Sequence, residues 1–258
     1  MTRVAGVIGW PLGYTASPAL HNAAYRALGI DATYVAFPVA RERLGEALAG
    51  VRALGFLGVN VTVPYKEAVV PLCDELEPAV RSLSAANTLV VRDGRLAAHN
   101  TDVPGFRAAL AEAGVASARA VVLGGGGAAR AVVAALAGTS VAVVARSSAN
   151  PGARAWDDAT FRDLLPGADL LVDATSAGLD DAPYPAPVPL ALLPPGAVVA
   201  SLVYHREPAI LAAARARGLR AMDGAGMLVH QAALAFELMT GKEAPLGVMW
   251  TAMRAYRS

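Results

Sequence analysis

The chain has 258 residues, of which 55% are hydrophobic and 17% are charged, so it can fold around one large core or two ordinary ones. Its formal net charge of +1 provides no basic field for nucleic acid or an anionic membrane surface, and we expect neither as a partner. A single cysteine, Cys73, excludes an intramolecular disulfide. The four histidines lack metal-ligand spacing, so we predict no metal site.

The longest apolar stretch, residues 131–145, does not predict a membrane span. Gly138, Thr139 and Ser140 interrupt it, so it divides into a helix and a strand. The apolar N-terminal segment resembles a signal peptide only faintly, because glycines and Pro11 break it. We therefore expect a soluble, cytoplasmic protein.

Strand-like and helix-like segments alternate through the first half of the chain. The hydrophobic pattern predicts strands at 4–10, 32–39 and 58–64, and helices at 17–29 and 41–54. A hairpin is predicted at 88–100, with its turn at Asp93-Gly94, a pair that tolerates positive φ. This alternation is typical of parallel α/β sheets.

A second α/β series begins near residue 119. It comprises a strand with a glycine turn at 118–127, a helix that ends near Ala137, and strands at 140–146, 169–175 and 196–204. Two series with separate glycine turns predict two domains with a cleft between them. The segment 226–241 has apolar residues at helical spacing, which does not say which domain it joins.

The segment AVVLGGGGAARAVVAAL has the pattern of a strand, a tight turn and a helix start. Gly124, Gly126 and Ala129 match the spacing G-x-G-x-x-G/A of dinucleotide-binding turns. Gly124 would allow the turn, Gly126 would let a pyrophosphate approach the backbone, and Ala129 would let helix and strand pack closely. A purely structural glycine turn is the alternative.

Arg146 ends the next strand, at the distance where this fingerprint expects the residue that contacts the ribose. An acidic residue would accept hydrogen bonds from a 2′-hydroxyl and select NAD, whereas an arginine suits a 2′-phosphate. We therefore predict NADP as the cofactor. A solvated arginine at a strand end is the alternative.

Polar side chains stand at strand ends in the first series. In NVTVPYKE, Asn60 and Thr62 share one face of the strand, and Lys66 lies just beyond it. Asn87 opens the hairpin. Lys66 is either a solvated surface lysine or a proton donor in a cleft, and its neighbours must decide between the two.

Two further polar residues stand at predicted helix starts. Ser17 precedes a proline, and Asp102 precedes a helix that ends near Gly114. Each could simply cap its helix. Free hydroxyls of Thr15 and Ser17 at a helix N-terminus would also suit a carboxylate ligand.

Taken in order, the segments YTASP, NVTVPYKE, AANT, NTDVPGF, GGGGAARA, DATSAG and GMLVHQAALAFELMTG resemble the shikimate dehydrogenase family over nearly the whole chain. The resemblance implies a two-domain α/β enzyme that reversibly reduces 3-dehydroshikimate to shikimate with NADPH, in aromatic amino-acid biosynthesis. It implies a substrate domain of residues 1–103 and 226–258, and a Rossmann-type NADP-binding domain of residues 104–225. The sequence is silent on whether the enzyme is a monomer or a homodimer.

The same resemblance implies roles for individual residues. Lys66 and Asp102 would be the catalytic pair, and which of them is the principal base stays open. Thr15 and Ser17 would hold the substrate carboxylate. The other implied substrate-binding residues are Asn60, Thr62, Asn87, Tyr204 and Gln231. The implied cofactor-binding residues are Gly124, Gly125, Gly126, Gly127, Ala128, Ala129, Arg146 and Thr175.

The chain departs from the family pattern at several of these positions. Thr15 replaces the usual serine, and its extra methyl could change the preference between shikimate and quinate. Asn150 stands where the NADP-binding loop usually has a second basic residue, for which Arg154 could substitute. Ser201 replaces the aspartate of the usual Asp-x-Val-Tyr-Asn-Pro segment, whereas Tyr204 is kept.

Two alternative functions remain open. One is a quinate/shikimate dehydrogenase that uses NAD. The other is a non-catalytic dinucleotide-binding sensor on the same fold. A sensor needs no proton donor, so the presence of both Lys66 and Asp102 argues against it.

Overall fold

The computed structural model describes residues 1–146, 152–177 and 184–257, and the chain divides into two α/β units. Unit 1 comprises Met1–Gly105 and Leu228–Ser258, and unit 2 comprises Phe106–Met227. No helix within the described ranges is long and apolar enough to cross a lipid bilayer. The α/β fold class with two sheets is confirmed.

The strands and helices follow the alternation of the sequence. The strands of the described residues are β1 (Arg3–Gly9), β2 (Ala32–Pro38), β3 (Gly58–Val61), β4 (Glu75–Leu76), β5 (Thr88–Arg92), β6 (Arg95–His99), β7 (Arg119–Leu123), β8 (Ser140–Val144), β9 (Leu170–Asp173), β10 (Val198–Ser201) and β11 (Arg220–Met222). The α-helices are α1 (Ser17–Ala27), α2 (Leu44–Ala53), α3 (Pro78–Leu83), α4 (Asp102–Glu112), α5 (Gly127–Ala135), α6 (Asp158–Leu164), α7 (Ala209–Ala216), α8 (Ala225–Thr240) and α9 (Leu246–Arg257).

The sheet of unit 1 has the strand order β2-β1-β3-β5-β6-β4. β1 is parallel to both β2 and β3, whereas β5 is antiparallel to β3 and β6. The hairpin turn between β5 and β6 has positive φ at Asp93 and Gly94, as the sequence predicts.

The strand order of unit 1 reverses at β1. The chain passes from β1 to β2 on one side and then to β3 on the other, so the loops after β1 and β3 leave the same edge of the sheet. A Cβ on Gly9 would lie 2.5 Å from Cγ2 of Thr62, which shows how closely the two strand ends approach. Ligands of open α/β sheets bind at such reversal points.

Unit 1 buries apolar side chains around its sheet. One buried cluster includes Val59 and Leu89 of the sheet together with Leu48 and Val51 of α2. His21 of α1 is fully buried, and its ring stacks on Tyr34 with ring centroids 4.1 Å apart. Neither ring nitrogen of His21 has a hydrogen-bond partner, and burial lowers its pKa to about 3, so this histidine is neutral in the folded protein.

The sheet of unit 2 is parallel throughout and has the strand order β11-β10-β9-β7-β8. Its order reverses at β7, which pairs with β8 on one side and with β9 on the other. Val121, Leu171 and Val199 of the three central strands are buried in one core with Phe161 of α6 and Leu211 of α7. This is the arrangement of a dinucleotide-binding sheet, whose crevice lies at the carboxyl ends of the strands beside the reversal.

Candidate active site

Lys66 lies in the turn that follows β3, at the edge of unit 1 where the strand order reverses. Its carbonyl oxygen accepts a hydrogen bond from the amide of Ala86 at 2.8 Å, which holds the turn next to the start of β5. The side chain of Lys66 is 15% exposed. The interpretation of Lys66 as a solvated surface lysine is therefore wrong.

The ammonium of Lys66 forms an ion pair with Asp102. Nζ lies 2.7 Å from Oδ2, and the aspartate side chain is only 5% exposed. Such a pair is costly to desolvate unless both partners are well bonded. The other carboxylate oxygen, Oδ1, accepts from the side-chain amide of Asn87 at 3.0 Å.

Asn100, rather than Asp102, caps α4. Oδ1 of Asn100 accepts from the amides of Asp102 at 3.1 Å and Val103 at 3.2 Å, which is the geometry of a helix N-cap. The capping explanation for Asp102 is therefore wrong. Because another side chain satisfies the helix start, the Asp102 carboxylate is available to Lys66.

Asn87 joins three elements of unit 1. Its Nδ2 lies 2.9 Å from Oγ1 of Thr101, 3.0 Å from Oδ1 of Asp102 and 3.1 Å from Oε1 of Gln231. Its Oδ1 accepts from the amide of Thr101 at 2.7 Å, so the orientation of the side-chain amide is fixed. The hydroxyl of Thr101 can donate its own hydrogen to Oε1 of Gln231 at 3.4 Å, so two amide hydrogens and one hydroxyl hydrogen serve these three oxygens.

Gln231 reaches this cluster from α8. Its Nε2 donates to the carbonyl of Leu228 at 3.0 Å, which directs Oε1 towards Asn87. A Cβ on Gly105 of α4 would lie 2.8 Å from Cβ of Gln231 and 2.9 Å from its backbone nitrogen. The glycine of NTDVPGF is therefore needed for α4 to approach α8.

Asn60 of β3 is buried behind this cluster. Its Nδ2 donates to the carbonyl of Asn87 at 3.1 Å and to Oγ1 of Thr88 at 2.9 Å. Its Oδ1 accepts from the hydroxyl of Tyr34 at 2.7 Å. Both amide hydrogens of Asn60 are used within the protein, so only its oxygen could contact a ligand.

Thr15 and Ser17 lie where the chain returns from β1 to α1. The residue in the N-cap position of α1 is Ala16, which offers no side-chain cap, and the helix begins at Ser17. The interpretation of Ser17 as the N-cap is therefore wrong. The amide of Ser17 donates to Oγ1 of Thr15 at 3.3 Å, which brings the two hydroxyl-bearing residues together at the start of α1.

The glycine turn of unit 2 has the predicted backbone geometry. Gly124 has a φ of +113°, and Ala129 is buried within α5. Gly126 precedes the first residue of α5, and no atom lies within 4 Å of a Cβ built on it. The open space at Gly126 and the free N–H groups of α5 fit the phosphates of a dinucleotide.

Arg146 follows β8 and is exposed. Arg154 runs beside the end of the same strand and forms an ion pair with Asp163, with 3.1 Å between nitrogen and oxygen. The departure at Asn150 lies outside the described residues. Tyr204 follows β10 in unit 2, where its ring contacts His205 edge to face.

Sequence reasoning missed several residues that hold this geometry. Asn87 is bonded by Thr101, Asn60 by Thr88, and Asp102 by Asn100. Asp173 accepts a hydrogen bond from the hydroxyl of Thr175 at 2.7 Å. Each is a small polar residue beside an expected site residue. That proximity is the only signal in the sequence, because their partners are distant along the chain or depend on backbone geometry.

A parallel sheet with a glycine turn at its reversal, together with a buried lysine–aspartate pair, defines the class of dinucleotide-dependent oxidoreductases built from two α/β units. Shikimate dehydrogenase (NADP(+)) of Symbiobacterium thermophilum is 42% identical to this chain, over 98% of this chain and 94% of that protein. The chain belongs to the shikimate dehydrogenase family.

Family models and solved structures agree with this membership. Residues 7–89 match the substrate binding domain of shikimate dehydrogenase, and residues 224–254 match the C-terminal domain of shikimate 5′-dehydrogenase. The shikimate 5-dehydrogenase of Thermus thermophilus, solved in complex with NADP(H) and shikimate, has a TM-score of 0.89 and 37% identity, over 99% of this chain and 100% of that chain. A shikimate 5-dehydrogenase of Listeria monocytogenes, solved with shikimate and NAD, has a TM-score of 0.83 and 30% identity, over 97% and 96% of the chains. The resemblance of the sequence motifs to this family is confirmed.

Proposed function

We propose that this chain is an NADP-dependent shikimate dehydrogenase, which reversibly reduces 3-dehydroshikimate to shikimate. The observation that carries the proposal is the buried ion pair of Lys66 and Asp102, whose second oxygen is held by Asn87. Carbonyl reduction needs a proton donor beside the oxygen that becomes an alkoxide, and a positioned ammonium can stabilise that charge and donate the proton.

Lys66 is the proposed acid and base of the reaction. NADPH, when bound, supplies the hydride. Asp102 accepts one hydrogen bond from the ammonium through Oδ2 and one from Asn87 through Oδ1. Within the described residues Asp102 is the only hydrogen-bond partner of Nζ, so two hydrogens remain for the substrate oxygen. In this arrangement Asp102 orients the ammonium.

The remaining substrate contacts follow from the same edge of unit 1. Thr15 and Ser17 offer hydroxyls at the N-terminus of α1, where a carboxylate is stabilised by the helix dipole. Thr62, Asn87 and Gln231 are proposed ligands of the ring hydroxyls. A substrate-binding role for Tyr204, which lies in unit 2, stays a prediction from the family resemblance.

Unit 2 is the proposed NADP-binding domain, and unit 1 the proposed substrate-binding and catalytic domain. Support for the first assignment comes from the open space at Gly126 and the exposed guanidinium of Arg146 beyond β8. Other proposed cofactor contacts are Gly124, Gly125, Gly127, Ala128, Ala129 and Thr175.

The direct test is the oxidation of shikimate by purified protein, followed as the absorbance of the reduced nicotinamide. We expect turnover with NADP⁺ and shikimate. Binding of NADP⁺ without turnover of shikimate or quinate would contradict the proposal and favour a non-catalytic sensor.

A quinate/shikimate dehydrogenase that uses NAD is the second candidate. The ion pair of Arg154 with Asp163 favours this candidate. It leaves Arg146 as the single unpaired arginine beside the end of β8 in the described part of the chain, so one arginine rather than two is available for the 2′-phosphate of NADP. The NAD-bound relative from Listeria monocytogenes points the same way. Values of kcat/KM for shikimate and quinate, each with NADP⁺ and NAD⁺, separate the two candidates.

We also propose that the enzyme works in the cytoplasm as a monomer or a homodimer. A chain with one cysteine needs no oxidising compartment to form disulfides. Cell fractionation tests the location, and sedimentation equilibrium distinguishes these two assembly states from larger ones.

A further inference from the structure

Asp173 is a buried carboxylate at the carboxyl end of β9, beside the reversal of the unit 2 sheet. It is 1% exposed. Its Oδ1 accepts from the amide of Thr175 at 3.1 Å and from the Thr175 hydroxyl at 2.7 Å. Its Oδ2 accepts from the hydroxyls of Tyr184 at 2.8 Å and Ser201 at 3.4 Å.

The surroundings of Asp173 are unusual for a purely structural residue. No basic side chain in the described ranges forms an ion pair with it. A buried carboxylate without a cation is costly, and an apolar side chain of similar size would usually be at least as stable. Four neutral donors fill the four acceptor positions of an ionised carboxylate. The carboxylate is therefore suited to fixing those donors in place.

The turn that Asp173 holds is in contact with the glycine turn. The hydroxyl oxygen of Thr175 also accepts from the amide of Ala177 at 3.2 Å, so residues 173–177 form one hydrogen-bonded turn. The amide of Ala174 donates to the carbonyl of Leu123 at 2.9 Å. A Cβ on Gly124 would lie only 2.9 Å from the carbonyl oxygen of Ala174.

We propose that Asp173 is a positioning residue for dinucleotide binding. Through Oδ1 it fixes the turn at 174–177 against Gly124, and it thereby sets the shape of the edge at which the cofactor binds. The inference rests on the proposed function for the identity of its ligand. Its effect is on the affinity of unit 2 for the dinucleotide.

The two carboxylate oxygens have separable roles. Oδ1 holds Thr175, which faces the glycine turn through its backbone. Oδ2 holds Tyr184, whose ring stacks on Trp156 with ring centroids 5.8 Å apart. Burial and the neighbouring Asp173 carboxylate raise the pKa of Tyr184, so its hydroxyl stays a donor. Removing the Tyr184 hydroxyl should therefore cost stability without disturbing the turn.

Calorimetric titration of the full chain with NADP⁺ tests the proposal. Asp173→Ala should weaken binding at least about tenfold, because hydrogen bonds to a charged group are strong and two are lost at Thr175. Asp173→Asn should weaken it by no more than about threefold, because an amide oxygen still accepts from the Thr175 amide and the hydroxyls can reverse. Tyr184→Phe, the matched control, should change affinity by less than about twofold while lowering the midpoint of urea unfolding.

The outcomes against the proposal are specific. An Asp173→Ala variant that binds NADP⁺ as the wild type does would overturn it. So would a Tyr184→Phe variant that loses as much affinity, because affinity would then merely follow stability. If Asp173→Ala does not fold, Asp173→Val replaces it with the same expected loss, since an apolar side chain offers Thr175 no acceptor.

Failure of the proposed function gives a different result. A wild-type chain that binds NADP⁺ but does not oxidise shikimate overturns the proposed function and leaves the role of Asp173 standing. A wild-type chain that binds neither NADP⁺ nor NAD⁺ overturns both.

Discussion

Asn100 is the side chain that leaves the Asp102 carboxylate free to pair with Lys66. A helix start needs an acceptor for its first N–H groups, and an aspartate in that position would normally supply it. Here the side-chain oxygen of Asn100 accepts from the amides of Asp102 and Val103 instead. In the Asn-Thr-Asp segment, Asn100 therefore caps the helix and Asp102 pairs with Lys66.

Lys66→Ala should lower kcat by about two to four orders of magnitude, the usual contribution of a positioned general acid. The dissociation constant for NADP⁺ should stay within about twofold, because Lys66 lies in unit 1. Steady-state kinetics and calorimetry measure the two quantities.

Lys242→Ala is the matched control, since Lys242 is the only other lysine of the chain and is exposed. It should behave as the wild type. Equal losses of turnover and NADP⁺ affinity in Lys66→Ala would identify Lys66 as a structural residue.

Arg146→Asp should shift the ratio of kcat/KM for NADP⁺ and NAD⁺ towards NAD⁺ by about 10- to 100-fold. The substitution removes a charge-assisted contact with the 2′-phosphate and adds an acceptor for a 2′-hydroxyl. Arg217→Asp makes the same charge change just after α7, at the opposite edge of the sheet, and should leave the ratio unchanged. An unaltered ratio in Arg146→Asp would mean that the arginine is only solvated.

The sequence predicts which side chains come together better than it predicts how they are held. Lys66 and Asp102 could be named because their motifs are specific, and their ion pair then followed from the fold. The capping explanations for Ser17 and Asp102 were wrong, because Ala16 and Asn100 occupy the cap positions. Which of several adjacent polar residues caps a helix depends on backbone angles that a motif does not encode. The catalytic and binding roles themselves stay predictions.

The contact between α4 and α8 depends on Gly105. Gly105→Ala would place a Cβ within 3 Å of three atoms of Gln231, so one helix must shift. Such overpacking typically costs about 1–3 kcal/mol in the free energy of unfolding. Displacing Gln231 from Asn87 should also raise the KM for shikimate more than the KM for NADP⁺.

Gly45→Ala is the control for this change. Gly45 lies in α2, and its Cβ would enter open space, so the variant should be neutral or up to about 1 kcal/mol more stable. The free energy of unfolding in urea and the KM values for shikimate and NADP⁺ are measured for both variants. A Gly105→Ala variant with an unchanged KM for shikimate would show that the α4–α8 contact does not position Gln231.

Long, strongly patterned elements were predictable, and short ones were not. The strands that became β1, β2 and β3 and the hairpin of β5 and β6 follow from their apolar runs and turn residues. The pattern does not reveal β4 and β11, with two and three residues, because so few positions show no period. The helix expected at 41–54 begins only at Leu44, because Arg41–Arg43 form a 3₁₀ turn.

Acid should destabilise the folded protein partly through His21. Its pKa falls from 6.5 to about 3 on folding because burial disfavours the charged form. Between these two values the unfolded chain binds the proton and the folded chain does not, so stability is lost as the pH falls below 6.5. The loss from this one group amounts to about 2–3 kcal/mol at a pH of about 4.5.

His21→Phe should remove that component. Phenylalanine can keep the stacking on Tyr34, and it loses no hydrogen bond because neither ring nitrogen of His21 has a partner. The free energy of unfolding, measured by urea at a series of pH values, should therefore fall less steeply in the variant. If the free energy of unfolding depends on pH equally in the two proteins, His21 has the same pKa in the folded and the unfolded chain, and the expectation is wrong.

The architecture of two α/β units was predictable because each series has its own glycine turn and its own alternation of strands and helices. The reversal of strand order in each sheet was not predictable, since periodicity identifies strands without saying which neighbours they pair with. It nevertheless explains the positions of both candidate sites. Lys66 follows β3 beside the reversal at β1, and Gly124 follows β7 at the reversal of the other sheet.

The hydrogens of the Asn87 side-chain amide and of the Thr101 hydroxyl are all directed at protein oxygens. This group of side chains therefore has lone pairs to offer a ligand but no spare hydrogen. A substrate hydroxyl that donates its own hydrogen fits such surroundings, and analogues without that hydroxyl should bind more weakly because they leave a buried acceptor unpaired.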